Sequence, residues 1–418
     1  MSAAPTPAWL DALRRDARAR ADATGLPTRR DEAWKYTDFA LSGAAAYPLA
    51  ARWQDAVPAS LATRPVAGGV PLVLVNGTVV GDWGAPDGVT IGRLDSPDAR
   101  SLVEAHLGAV IPAARKSLAA LNGGLFTDGL VLRITAGTRL ERPIEVLSLG
   151  ASDAASGPLS FHPRLLVVVE EGGFATLVES HRGTGAYFSN SVVEVALAEG
   201  AGLDHYKIQD ESLEGVHVAT LGVSVAARAV YRGALLQAGS RLARHEVHAS
   251  LCGRDAVFEL DGAYLGVENQ HLDNTTFVTH AAPGGQSRQL FKGVLDNQAQ
   301  GVFQGTVLVE RAAQKTNAHQ LSKALLLSAG AGMSGKPELE IYADDVKCGH
   351  GCTVGDIDET ALFYLRSRGI AEADARQLLI EAFLADVLEH VSLDPVRETF
   401  TAVVSERLRR ARLGKEDR

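Results

Sequence analysis

Only three cysteines occur in 418 residues, an odd number that excludes a disulfide framework and predicts reduced thiols. Long apolar runs are also missing. The longest clusters are short ones such as Leu165 to Val169, so no membrane-crossing segment is expected. Positive charge is outnumbered, with 41 Lys and Arg against 50 Asp and Glu and a net charge of -9. That balance supplies no general field to attract nucleic acid or an anionic membrane. Near the start, Arg14, Arg15, Arg18 and Arg20 are interrupted by Asp11 and Asp16 and are followed by no apolar core, which argues against a transit peptide. A cytoplasmic location is the resulting expectation. What is present, 46% hydrophobic and 22% charged residues, is ordinary for a folded soluble chain long enough for two or three structural units.

The periodicity divides the chain into three regions. In residues 1–120 the pattern predicts a helical cap with a small β-hairpin. Trp9, Leu10, Leu13 and Ala17 recur at helical spacing as far as about Ala23, and Gly25 and Pro27 end the helix. Trp34, Tyr36 and Phe39 read as anchors of this cap rather than as a ligand site. Asn76-Gly77 between Val70–Val75 and Thr78–Val80 signals a hairpin. Helical spacing returns from Ser101 to Leu121 through Leu102, Leu107, Ile111 and Leu118. Residues 121–356 read as short alternating strands, for example Leu203-His205-Lys207 taken at every second position, which suits a sandwich, a barrel or a solenoid. The echo of Glu171-Gly172-Gly173 in Glu199-Gly200-Ala201 leans toward a solenoid. Residues 357–418 return to helix, with Asp358 as an N-cap, Gly369 as a stop, a second helix near Ala371 and a third after Asp394-Pro395.

Two motifs invite claims that their context denies. Gly330-Ala331-Gly332-Met333-Ser334-Gly335-Lys336-Pro337 satisfies G-x-G-x-x-G and nearly a P-loop, but both need a helix directly afterward. Here the alternating Pro337–Tyr342 follows, and Pro337 stands where the magnesium-binding hydroxyl belongs. The segment therefore reads as a flexible loop between strands, with no nucleotide bound by this chain. His245-Glu246-Val247-His248 superficially suggests a zincin, yet its histidines are three apart in a strand and face opposite sides. They read as ordinary hydrogen-bonded or surface histidines. His205, His217, His271, His280 and His319 show no ligand spacing.

Chemistry concentrates in Asp344-Asp345-Val346-Lys347-Cys348-Gly349-His350-Gly351-Cys352-Thr353-Val354-Gly355. In an extended segment Cys348, His350 and Cys352 share one face, with glycines between them. Two thiols and an imidazole suit sulfur transfer or soft metals. The same spacing also fits small core residues, or a thiol-dependent hydrolase or acyltransferase in which His350 draws the proton from a nucleophilic Cys348. No oxyanion hole or orienting group is identifiable for that enzyme.

This string, with Leu339–Ala343 before it and Leu362-Phe363-Tyr364-Leu365-Arg366-Ser367-Arg368-Gly369 after it, resembles the C-terminal signature of the SufB/SufD family, specifically of its SufD-type subunits in the SUF iron-sulfur cluster assembly machinery. Arg30-Asp31-Glu32-Ala33-Trp34-Lys35-Tyr36-Thr37 is similar to the family's N-terminal motif. The resemblance implies a right-handed parallel β-helix core between helical ends, and a non-enzymatic scaffold with no catalytic residues. It implies partnership with a SufB-like paralogue and docking of a SufC-like ABC ATPase on the C-terminal helices, with homodimerisation left open. It also makes Cys348 and His350 ligands of a nascent iron-sulfur cluster, transient and shared across an interface. Cys352 stands where the family commonly has a small residue, so an extra thiolate there is an addition of this chain.

Overall fold

The structure, a computed structural model, describes residues 7–66, 68–111, 117–153 and 155–416. It is mostly β, 42% strand against 22% helix, wound as a parallel β-solenoid of about seven turns with helices at both termini. Successive strands fall alternately into two facing sheets. The front sheet runs from Val70–Val75 through Ile144–Ala151, Phe174–Thr184, Gly202–Asp210, Val230–Gln237, Val257–Gly266, Gln286–Leu295 and Asn317–Leu326 to Lys347–Gly355. The back sheet ends on His271–His280, Gln300–Val309 and Gly332–Ile341. Aliphatic side chains of both inner faces, among them Leu177, Leu203, Val193, Leu221 and Val247, meet in one buried core.

The coils repeat because their corners stack. Gly172 and Gly200 both adopt left-handed φ near 65°, and Arg228 and Asp255 take the same region further on. The Gly172 amide donates to Glu199 O at 3.0 Å and the Gly200 amide to Ala227 O at 2.9 Å. Each turn thus satisfies the backbone of the next, which explains the Glu171/Glu199 echo. Asn76 and Gly77 have φ of 47° and 75°, as a primed turn demands. Their hairpin is no isolated appendage, since Val70–Val75 also pairs in parallel with Ile144–Leu149 of the front sheet.

Helical expectations are met with one division. The first helix spans Ala8–Thr24 and ends at Gly25, and it packs closely on the helix Ser117–Leu125, where a Cβ on Gly123 would lie 2.9 Å from Ala17 Cβ. The expected run from Ser101 to Leu121 is instead two helices, Arg100–His106 and Ser117–Leu125, and residues 112–116 between them lie outside the described residues. At the other end Asp358 accepts hydrogen bonds from the Thr360 and Ala361 amides, and Gly369 takes φ 88°. From the helices Glu372–Leu388 and Asp394–Glu416, Ile380, Leu384, Val387, Phe400 and Val404 are buried on the outer front sheet against Ile208, Leu236 and Val294.

The expected loop at Gly330–Pro337 is corrected. Only Ser328–Ala331 form the turn, and from Gly332 the chain is already in the last back-sheet strand, Gly332–Ile341. Parallel pairing to Gln300–Val309 overrides the breaker residues. Lys336 ion-pairs with Glu32 and Glu338 instead of facing an open phosphate cradle.

Candidate functional site

Cys348, His350 and Cys352 occupy the final front-sheet strand, Lys347–Gly355. That strand pairs on one side only, setting Cys348 beside Ala318, His350 beside Gln320 and Cys352 beside Ser322. Gly332–Ile341 likewise pairs only with Gln300–Val309. The last coil of the solenoid therefore ends in two strand edges with backbone donors and acceptors unclaimed by any described strand. Successive members of the row are about 7 Å apart along the strand.

The two thiols are half-buried and the imidazole between them is exposed. Cys348 is half-buried against the small cluster of Ala318, Val307 and Leu339. Cys352 is half-buried too and points across the lumen, where a Cβ on Gly335 would lie 2.2 Å from its Sγ. The His350 ring is exposed. Burial pushes both thiols up from their ordinary pKa, and for Cys348 a backbone hydrogen bond involving Ala318 opposes the shift. A thiol held protonated at neutral pH is a poor nucleophile, which removes the main physical support for the thiol-enzyme alternative. A metal is less affected, because binding itself displaces the proton. Among the described residues no group of three or more His, Cys, Asp or Glu side chains is disposed to hold a metal ion.

The distant N-terminal motif anchors the cap. Trp34 lies over the Arg244 guanidinium, 4.0 Å from Cζ to the ring centroid. Arg244, wholly buried, donates to Glu246 and Asp273. Thr37 bonds Asp273 and lies 2.8 Å from His271 Nε2, Ala33 O accepts from Gln304 at 3.0 Å, and Glu32 pairs with Lys336. Binding this segment to four back-sheet strands is enough to account for its residue types.

Sequence reasoning missed a cluster inside the lumen. Parallel register sets Lys207 beside Glu179, and Glu179 holds His205 at 2.6 Å and His181 at 3.1 Å. The rings of His181 and His217 meet edge to face with centroids 4.8 Å apart, and His217 Nδ1 lies 2.8 Å from Glu211. Burial lowers the Lys207 pKa against the pull of Glu179 and Glu211, and lowers His181 to about 4. The available signal was polar residues on the inward phase of consecutive coils, as in Leu203-His205-Lys207. As expected, His245 and His248 diverge: His245 lies within the electrostatic reach of Lys207, while His248 hydrogen-bonds Glu246 at 2.8 Å and stacks on Phe277.

Comparison with known proteins completes the picture. A family profile described as "SUF system FeS cluster assembly, SufBD core domain" matches residues 151–383. An iron-sulfur cluster assembly SufBD family protein of Synechocystis is 33% identical over 397 residues, 91% of this chain and 87% of its own length. The iron-sulfur cluster assembly protein SufD of Escherichia coli is 30% identical over 397 residues, 92% of this chain and 90% of its own. SufD of Bacillus subtilis is 28% identical over 298 residues, 70% of this chain and 67% of its own.

Proposed function

The chain belongs to the SufBD family of the SUF iron-sulfur cluster assembly system, and from that premise we propose that it is a scaffold subunit lending Cys348 and His350 to a nascent cluster shared with a second subunit. The observation that carries this reading is an incomplete ligand set on an unpaired edge. Clusters usually take four protein ligands, whereas this chain presents a thiol and an imidazole, with Cys352 as a third donor turned inward. A partner adding strands to the free edges of Lys347–Gly355 and Gly332–Ile341 would gain backbone hydrogen bonds and bring its own ligands to the same seam. A SufB-like paralogue is the partner the family suggests. In that assembly the cluster is cargo, Cys348 supplies a thiolate once iron displaces its proton, and His350 supplies a neutral imidazole.

The test is replacement of each ligand in the assembled complex. Cys348→Ala and His350→Ala should leave folding and partner assembly unchanged while lowering cluster yield, after addition of ferrous iron and sulfide, by roughly tenfold or more. Normal maturation of client proteins by both variants would refute the assignment.

Docking of an ABC-type ATPase is assigned to the face of the C-terminal helices left uncovered by the solenoid. The buried stripe of Glu372–Leu388 is already engaged with the front sheet, but Phe363 and Tyr364 on Glu359–Ser367 are 73% and 57% exposed. Side chains so exposed add little to the fold, so Phe363→Ser with Tyr364→Ser should preserve the thermal midpoint and weaken ATPase binding by about tenfold or more. Titration calorimetry with the purified ATPase decides it, and unchanged affinity moves the docking site elsewhere.

A further inference from the structure

The row carrying Cys348, His350 and Cys352 has a second layer behind it. In the parallel ladder His350 neighbours Gln320, and Gln320 neighbours Gln289 on the preceding coil. These glutamines are 2% and 1% exposed. Neither the amide nitrogen nor the carbonyl oxygen of either side chain has a hydrogen-bond partner among the described residues. Leaving a buried amide unpaired is costly, and an apolar side chain of the same length would fill the place without that cost. The opposite wall is pared back to fit: a Cβ on Gly305 would stand 2.1 Å from Gln320 Nε2, much as one on Gly335 would stand 2.2 Å from Cys352 Sγ. The back sheet gives up a side chain opposite Gln320 and opposite Cys352.

We infer that Gln320 is a positioning residue of the cluster site, its unpaired amide N–H reserved for sulfide sulfur of the cargo held at Cys348 and His350. The chemistry of the row selects this ligand. Positions 348, 350 and 352, with 318, 320 and 322 beneath them, hold two thiols, an imidazole, an amide and a hydroxyl, and no carboxylate or ammonium. A hard divalent cation finds no anionic oxygen there. Sulfide in a cluster accepts N–H hydrogen bonds, and such bonds raise the reduction potential and slow loss of the cluster. Gln289, one coil deeper, is the internal control, for it has the same orphaned amide without adjacency to His350.

The inference rests on the cluster-assembly reading above, and the experiment separates the two. In the full complex loaded with ferrous iron and sulfide, Gln320→Met removes every polar atom of the side chain at nearly constant length. The expected result is an unchanged or raised thermal midpoint with cluster loss to a chelator about tenfold faster and a lower cluster reduction potential. Gln289→Met should leave both cluster properties at the wild-type value. Gln320→Asn, which keeps the amide but withdraws it by one methylene, should fall between, and it serves as the second probe should Gln320→Met assemble poorly. If the Gln320 variants keep wild-type cluster lifetime and potential while Cys348→Ala and His350→Ala lose the cluster, the inference on Gln320 is overturned and the site reading stands. If the Cys348 and His350 variants also keep it, both fall.

Discussion

Replacing Arg244 with alanine should lower the stability of the chain by about 3–5 kcal/mol, the cost of leaving buried carboxylates without their cation. Arg244 has no exposed surface, and Glu246 and Asp273, its two anionic partners, are themselves buried. Alanine would also empty the space beneath Trp34, whose ring is held 4.0 Å from the guanidinium. Arg244→Lys should recover only part of the loss, because an ammonium cannot fork between two carboxylates while stacking on an indole. Replacing all three members, Arg244→Met with Glu246→Leu and Asp273→Leu, should be milder than Arg244→Ala alone, since no charge is then stranded. Urea unfolding provides the comparison, and a loss below about 1 kcal/mol for Arg244→Ala would show that the carboxylates find other neutralisation. The single variant should also expose the cap to proteolysis near residues 24–37, because Trp34 and Thr37 both bind through this network.

Acid should be the second large lever, with stability falling steeply between pH 6.5 and 4. Burial lowers His162 to about 3 and His181 and His280 to about 4, so these rings stay neutral in the folded chain while the unfolded chain protonates them near 6.5. The unfolded state then binds more protons throughout that window, and stability rises with pH across it. Each ring withdraws on the order of 3 kcal/mol by pH 4, so that together they rival the whole stability of an ordinary domain. Below pH 4.5 the same sign continues through Glu211 and Glu246, held at about 2 in the fold despite burial, Glu211 by His217 and Glu246 by Arg244. Asp128, Asp204 and Asp261, raised by burial, act oppositely, and their opposition falls above their ordinary pKa of 3.8, inside the histidine window, where it softens the decline. Urea midpoints at pH 7.5, 6.5, 5.5 and 4.5 should decline at every step, and a midpoint unchanged between 7.5 and 5.5 would contradict the buried-histidine account. His280→Gln, which retains a partner for Ser287 now 2.8 Å from the ring, should flatten the slope by about one proton.

Much of this molecule could be read before its coordinates. Helical spacing and caps located the first helix and the three at the C-terminus, because a helix closes its hydrogen bonds within four residues and its caps are local. The Asn76-Gly77 turn was legible for the same reason. The shared face of Cys348, His350 and Cys352 followed from the two-residue period of any extended chain. Where local rules failed, a distant strand had decided the matter, as at Gly332–Ile341, where breaker residues were drawn into a strand by pairing with Gln300–Val309.

The residues alone determined which segments extend or coil and that a thiol, an imidazole and a second thiol line up near the C-terminus. Tertiary structure alone decided that Gln320 lies behind His350, that Lys207 meets Glu179, that Trp34 covers Arg244 and that the last coil is left open. The physical reason is register. Alternation along one strand is set by backbone geometry within a few residues, whereas which residue of the next coil stands beside it depends on the length and corner conformation of every intervening turn.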